Sequence, residues 1–133
     1  MAAPVQRGDE VELEVDTLAY GGNGVARLDG FVVFVRRGLP GDTQVYCGHE
    51  YTAANIRFAR TIEPNNPALA ARAEEVARLV EQGRPTIPVT IEAEKAANPF
   101  LRADLPAVAQ SVGMAGAPAA QVFAEIRARK NRF

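Results

Sequence analysis

Few side chains in this 133-residue sequence can do metal or nucleophilic chemistry, because it contains a single His, His49, and a single Cys, Cys47. A structural zinc site takes four ligands and a catalytic one takes three plus water. Cys47 and His49 stand two residues apart on an expected strand, where such residues share a face. They supply two donors side by side, so a complete metal site would have to be built mainly from carboxylates. One Cys also allows no disulfide within the chain, which suits a reducing compartment. A second constellation lies at the C-terminal end, where Arg127 and Lys130 are three apart on an expected helix and share a face. A guanidinium fork and an ammonium point charge on one face can hold one carboxylate. The same two residues also suit a solvated basic helix end that offsets the helix dipole.

The elements that must position these residues fall into two halves, divided near Gly41-Asp42. In the first half Val11, Leu13 and Val15 alternate with acidic residues, the period of a half-buried strand. Tyr20-Gly-Gly-Asn-Gly24 supplies a turn, and Asp29-Gly30 joins Val25–Leu28 to Phe31–Val35 as a type I′ hairpin. The unbroken Phe31–Val35 run predicts a strand buried on both faces, and Arg36–Asp42 closes it as a loop. In the second half Gln44–Cys47 is the one remaining strand, and helices follow. Glu50–Arg60 forms the first, with Thr52 in its opening turn. Asn66 then caps a helix with Pro67 at its first position. Leu69, Ala73, Val76 and Val80 recur at helical spacing in that helix, Glu74 pairs with Arg78, and Gly83 ends it. Pro85–Pro99 is irregular apart from a helical turn at 92–97, and Leu105–Val112 and Pro118–Arg132 complete the set.

Charge divides in the same place. Residues 1–42 carry four arginines against seven carboxylates, net −3, and the remainder carries eleven cations against nine carboxylates, net +2. The whole chain is net −1 and 47% hydrophobic, an ordinary balance that argues against a disordered tail or a globally basic nucleic-acid binder. No segment approaches the roughly 20 apolar residues of a membrane span and no signal peptide is evident, so the expected location is cytoplasmic with no membrane partner.

Residues 43–133 closely resemble the C-terminal part of glyoxalase II, the hydroxyacylglutathione hydrolases. The resemblance runs through Thr43-Gln-Val-Tyr-Cys-Gly-His-Glu-Tyr-Thr52, Phe58-Ala-Arg-Thr-Ile-Glu-Pro64, Gly83-Arg-Pro-Thr86, Asn98-Pro-Phe-Leu-Arg102 and Arg127-Ala-Arg-Lys-Asn-Arg-Phe133. It implies an origin in methylglyoxal detoxification, where that family hydrolyses S-lactoylglutathione with a binuclear zinc or iron/zinc centre activating water. By the same resemblance His49 matches a metal ligand, Tyr51 a residue contacting glutathione, and Arg127 and Lys130 the pair that holds its glycine carboxylate. The family's Thr-His-x-His-x-Asp-His motif is absent here, as are its further His and bridging Asp. No cofactor is therefore expected in this chain, no catalytic residue is assigned, and no thioesterase activity is expected.

Residues 8–42 resemble a TRAM domain, a small OB-like β-barrel that binds RNA ahead of RNA-modifying catalytic domains such as the uracil-5-methyltransferases. The match is carried by Gly8-Asp-Glu-Val-Glu-Leu-Glu-Val15, Leu18-Ala-Tyr-Gly-Gly-Asn-Gly-Val-Ala-Arg27, Gly30–Val35 and Leu39-Pro-Gly-Asp42. The resemblance makes Tyr20 and Phe31 or Phe34 candidates for base stacking, with Arg27, Arg36 and Arg37 as phosphate contacts. The opposing reading places both phenylalanines in a barrel core, and the net −3 of this half favours it.

The expected fold is therefore α+β: a short antiparallel, OB-like β portion over residues 1–42, then a mainly helical glyoxalase II C-terminal domain over 43–133. Both parent patterns are cut at the join, as in a recombined or engineered chimera of truncated parts or a gene model joined across reading frames, and Gln44–Cys47 would replace a missing barrel strand. Uncovered apolar faces on Phe31–Val35 and on helix 67–82 would favour a homo-oligomer. Three functional readings follow from the sequence. These are weak recognition of glutathione or its thioester without hydrolysis, RNA binding through the first half, and a structural chimera with no inherited activity.

Overall fold

A computed structural model describes residues 4–133 as two compact units, one ending at Thr43 and the other spanning Gln44–Phe133. The N-terminal unit holds a three-stranded antiparallel sheet in the order β1-β2-β3, made of Thr17–Leu18, Gly24–Leu28 and Phe31–Val35. Its long hairpin pairs Gly24 with Val35 through to Leu28 with Phe31. Asp29 and Gly30 both take positive φ, 49° and 84°, as the expected I′ turn demands.

Gly24 shows why this sheet needs a residue without Cβ. An added Cβ there would lie 2.7 Å from Val15 Cγ1 and 2.8 Å from the carbonyl oxygen of Gly38. The segment holding Val15 and the loop after β3 therefore close directly onto the β2 backbone.

Two expectations for this half are corrected. Val11–Val15 forms no ladder: Leu13 and Val15 are half-buried in alternation with exposed neighbours, but pairing begins only after them, with Asp16 N–H to Val25 O, β1 and Ala19 N–H to Asn23 O. Phe31–Val35 is covered on one face only. Phe31, Val33 and Val35 are half-buried, whereas Val32 and Phe34 are exposed. Among the described residues strand β3 ends the sheet order with β2 as its one neighbour, and pleating sends alternate side chains to opposite faces.

In the C-terminal unit the order is β4 (Gln44–Val45), α1 (Thr52–Ile62), α2 (Pro67–Glu81), β5 (Val89–Thr90) and α3 (Ile91–Ala97). A 3₁₀ turn at Pro99–Arg102, α4 (Pro106–Ser111) and α5 (Ala119–Arg132) follow. Strand β4 pairs with β5, so Gln44–Cys47 does not serve as the missing strand of the first half. The irregular stretch holds the partner, because Val89–Thr90 is extended and apolar enough to pair.

Helix α2 begins as its sequence dictates. Asn66 Oδ1 accepts from the N–H groups of Ala68 and Leu69, and Asn66 Nδ2 donates to Ala96 O, so one side chain caps α2 and ties it to α3. At the other end Gly83 N–H donates to Val80 O and Arg84 N–H to Leu79 O, the paired bonds of a Schellman motif. Leu69 and Val76 are buried as expected, but Val80 is exposed and Leu79 half-buried. In place of the expected Glu74–Arg78 pair, Arg72 bonds Glu75 at 2.6 Å.

The core gathers Phe58 and Ile62 of α1, Ala103, Val108, Ala109 and Val112 around α4, and Val122 and Ile126 of α5. Arg102 clamps its edge by a fork onto Glu63, with Nε and Nη2 2.9–3.2 Å from the carboxylate oxygens. Arg129 donates to Glu125 and to Val112 O, joining α5 to the end of α4. This fixes α5, and with it the face that carries Arg127 and Lys130. No helix among the described residues is long and apolar enough to cross a membrane.

Candidate functional site

Within the C-terminal unit a cleft of about 360 Å³ opens between the β4–α1 segment and the faces of α1, α3 and α5. Cys47, His49, Tyr51, Arg127 and Lys130 all line it. Residues more than seventy positions apart in the chain thus meet on one surface because α5 packs on α1 through the Phe58, Val122 and Ile126 core.

The wall bearing His49 and Tyr51 is not a strand, since β4 ends at Val45. The expected alternation of Cys47 and His49 along an extended chain is therefore replaced by an irregular approach to α1, although both side chains still reach the cleft. The His49 and Tyr51 rings stack at 5.4 Å between centroids with a 9° interplanar angle. A clasp just behind them holds the segment. Glu50 Oε1 accepts from both the N–H and the hydroxyl of Thr86, each at 2.5 Å, and the Thr86 and Thr52 hydroxyls bond at 2.7 Å. Arg72 completes the clasp by donating to Thr86 O at 2.7 Å. Thr86 is 3% exposed, the one buried polar residue among the described residues. The Thr86 hydroxyl, then its N–H, holds the Glu50 carboxyl below its ordinary range, against a smaller opposing desolvation.

Helix α5 brings two cations to the same cleft. Arg127 is exposed and Lys130 half-buried, and among the described residues neither forms an ion pair with a carboxylate. The neighbouring acid on the helix, Glu125, is occupied by Arg129, whose hydrogen bond lowers the Glu125 carboxyl below its ordinary range. Lys130 Nζ lies 5.0 Å from the centre of the Phe58 ring. Tyr51, Arg127 and Lys130 thus line one cleft together with the Phe58 ring, and neither cation forms an ion pair among the described residues. Such a lining suits a small ligand that carries a carboxylate.

Metal binding is a different matter. A binuclear centre needs several His and carboxylate donors, yet among the described residues no three His, Cys, Asp or Glu side chains come together in a metal-holding group. Cys47 and His49 share the cleft but leave the donor set too small. The residues present do not fit the binuclear metal site that the resemblance implies.

In the N-terminal unit the RNA candidates separate by face. Tyr20 and the three arginines Arg27, Arg36 and Arg37 are exposed. Phe34 is 64% exposed, and its cross-strand partner is Val25, on the face that also carries Val32 and Arg27. Phe31 turns to the half-buried face and is set apart from them.

Sequence reasoning missed the clasp and the aromatic ring beneath Lys130. The Glu50–Thr86 contact spans 36 residues, so no local pattern announces it. The i,i+3 spacing of Lys130 and Phe133 was a usable signal.

Comparison with known proteins bears on both halves. Residues 50–133 match the family model described as hydroxyacylglutathione hydrolase C-terminus, and residues 4–45 match that of the TRAM domain. A hydroxyacylglutathione hydrolase of Rhodopseudomonas palustris is 64% identical over 95 residues, covering 71% of this chain and 37% of the relative. Similar proteins of that name from Nitrobacter winogradskyi and a Bradyrhizobium species are 62% and 57% identical over 96 residues, covering 72% of this chain and 38% of each relative. The chain thus spans less than two-fifths of the length of these relatives, and the family-model match begins one residue after its single His, His49. The match over residues 50–133, the stretch that builds most of the cleft, means that the chain belongs to the hydroxyacylglutathione hydrolase C-terminal family.

Proposed function

We propose that the C-terminal unit binds glutathione or a glutathione thioester such as S-lactoylglutathione, without hydrolysing the thioester on its own. The carrying observation is that Tyr51, Arg127 and Lys130 line one cleft in which neither cation is neutralised by a carboxylate of the described residues. Arg127 and Lys130 take the glycine carboxylate of the ligand, and Tyr51 flanks its peptide backbone. Binding is weak, because Arg127 is exposed and solvent screens its charge.

Titration calorimetry with glutathione tests this. Removing one of two charge-assisted contacts at a partly exposed site costs about 1–2 kcal/mol, so Arg127→Ala and Lys130→Ala should each weaken binding roughly five- to thirtyfold. Unchanged affinity in both variants would sink the assignment.

A second reading rests on the N-terminal unit, where Phe34, Val32 and Arg27 occupy one solvent-facing side of the hairpin. An exposed aromatic beside a cation suits a stacked base of single-stranded RNA. This reading expects RNA affinity that falls with salt and is lost in Arg36→Ala/Arg37→Ala, and Phe34→Ala should weaken binding at every salt concentration. Salt-independent retention by the double variant would count against it.

A further inference from the structure

The chain has two lysines, Lys95 and Lys130, and among the described residues Lys130 is the one that lies over aromatic rings. Its Nζ is 5.0 Å from the Phe58 ring centre and 5.6 Å from that of Phe133, and the two rings meet edge to face at 5.5 Å and 66°. A cation within about 6 Å of a ring centre is drawn to the negative face of the π system. A free Lys side chain samples many rotamers and loses that freedom when it grips a ligand. Two rings at an angle limit the ammonium to a small region before any ligand arrives. Phe58 lines the cleft and is 2% exposed, so its ring is locked by the core. Phe133 lies outside the lining of the cleft and is 63% exposed, so packing does not demand an aromatic there.

We infer that Phe133 is a positioning residue: with Phe58 it seats the Lys130 ammonium at the cleft wall, so that Lys130 meets the ligand carboxylate already oriented. This inference rests on the glutathione reading of the cleft, and it assigns to Phe133 a role in affinity without contact with the ligand.

The test uses the full chain with Phe133→Leu, which keeps apolar bulk and removes the π face, and Phe133→Trp, which restores a π face. Ring currents should move the ε-methylene protons of Lys130 upfield of those of Lys95 in the wild type. That shift should shrink in Phe133→Leu and return in Phe133→Trp. Glutathione affinity should fall roughly two- to fivefold in Phe133→Leu, as expected for one cation–π contact, and recover in Phe133→Trp. Coincident Lys95 and Lys130 resonances in the wild type would overturn the ring seat whatever the protein binds. Wild-type affinity in Phe133→Leu would overturn its role in recognition. A shifted Lys130 resonance in a wild type that binds no glutathione would instead overturn the functional reading, and with it the ligand part of this inference.

Discussion

Glu50 lies between His49 and Tyr51, and its carboxylate accepts two hydrogen bonds from Thr86. Those bonds favour the ionised form and lower its pKa from an ordinary 4.5. A carboxyl whose folded pKa is depressed contributes stability above its unfolded pKa and loses it as pH falls through the folded value. The clasp should therefore weaken on acidification below the ordinary carboxylate range, and Glu125, lowered by Arg129, contributes with the same sign. Denaturant unfolding between about pH 6 and about pH 3 checks this: Glu50→Gln should show a shallower loss of stability than the wild type. An identical pH profile would remove Glu50 from the acid response. Thr86→Val, which deletes the hydroxyl donor, should raise the Glu50 carboxyl toward its ordinary value, measurable by NMR titration. At this scale the sequence was legible for the residues that carry charge and aromaticity but not for their partners. Tyr51, Arg127 and Lys130 lie within the stretch that matches the family model, residues 50–133. Thr86 becomes a donor to Glu50 only because the chain folds back over 36 residues, and contacts of that separation leave no periodic trace.

Elements were legible where local chemistry decides them. Asn66-Pro67 marks the start of α2 because an Asn side chain satisfies the free N–H groups of the first turn. Asn66→Ala should cost more than the about 1 kcal/mol of an ordinary cap, because the bond to Ala96 O goes with it. Chemical denaturation of the variant measures the difference. Asp29-Gly30 was equally readable, since two adjacent positive φ values leave few other residue choices. Strand burial was not. An unbroken apolar run such as Phe31–Val35 fits a strand covered on two faces, but coverage depends on what packs against it, and here alternate residues stay exposed. The ladder-free Val11–Val15 segment fails for a related reason: alternation records a half-buried side, while pairing needs a neighbour in register. The tight approach at Gly24 was hidden as well. Gly24→Ala should destabilise the N-terminal sheet by about 1–3 kcal/mol, the typical cost of overpacking, because Val15 and the Gly38 carbonyl must both move. Equal stability of the variant would show that this contact relaxes freely.

Across the whole chain, binding and catalysis depend on different parts of the inventory. Recognition of an anionic thiol peptide needs cations and aromatic surface, which Arg127, Lys130, Tyr51 and Phe58 bring to one cleft. Thioester hydrolysis by metal-activated water needs an open coordination site on a held metal. The sequence offers one His, and among the described residues no three potential ligands meet. The proposed separation of the two activities gives a sharp expectation. With zinc or iron supplied, the chain should turn over S-lactoylglutathione no faster than the free metal does, while calorimetry still records binding of the thioester. The control is His49→Ala. If metal-dependent turnover above background were found and His49→Ala abolished it, His49 would be acting as a true ligand with donors contributed from elsewhere, such as a second copy of the chain. Light scattering across concentrations would then distinguish that case, because a site completed between copies requires an oligomer, and an exclusively monomeric profile excludes it. Turnover at the free-metal rate, with binding retained in the wild type and weakened in Arg127→Ala, would leave this unit as a binder without hydrolysis.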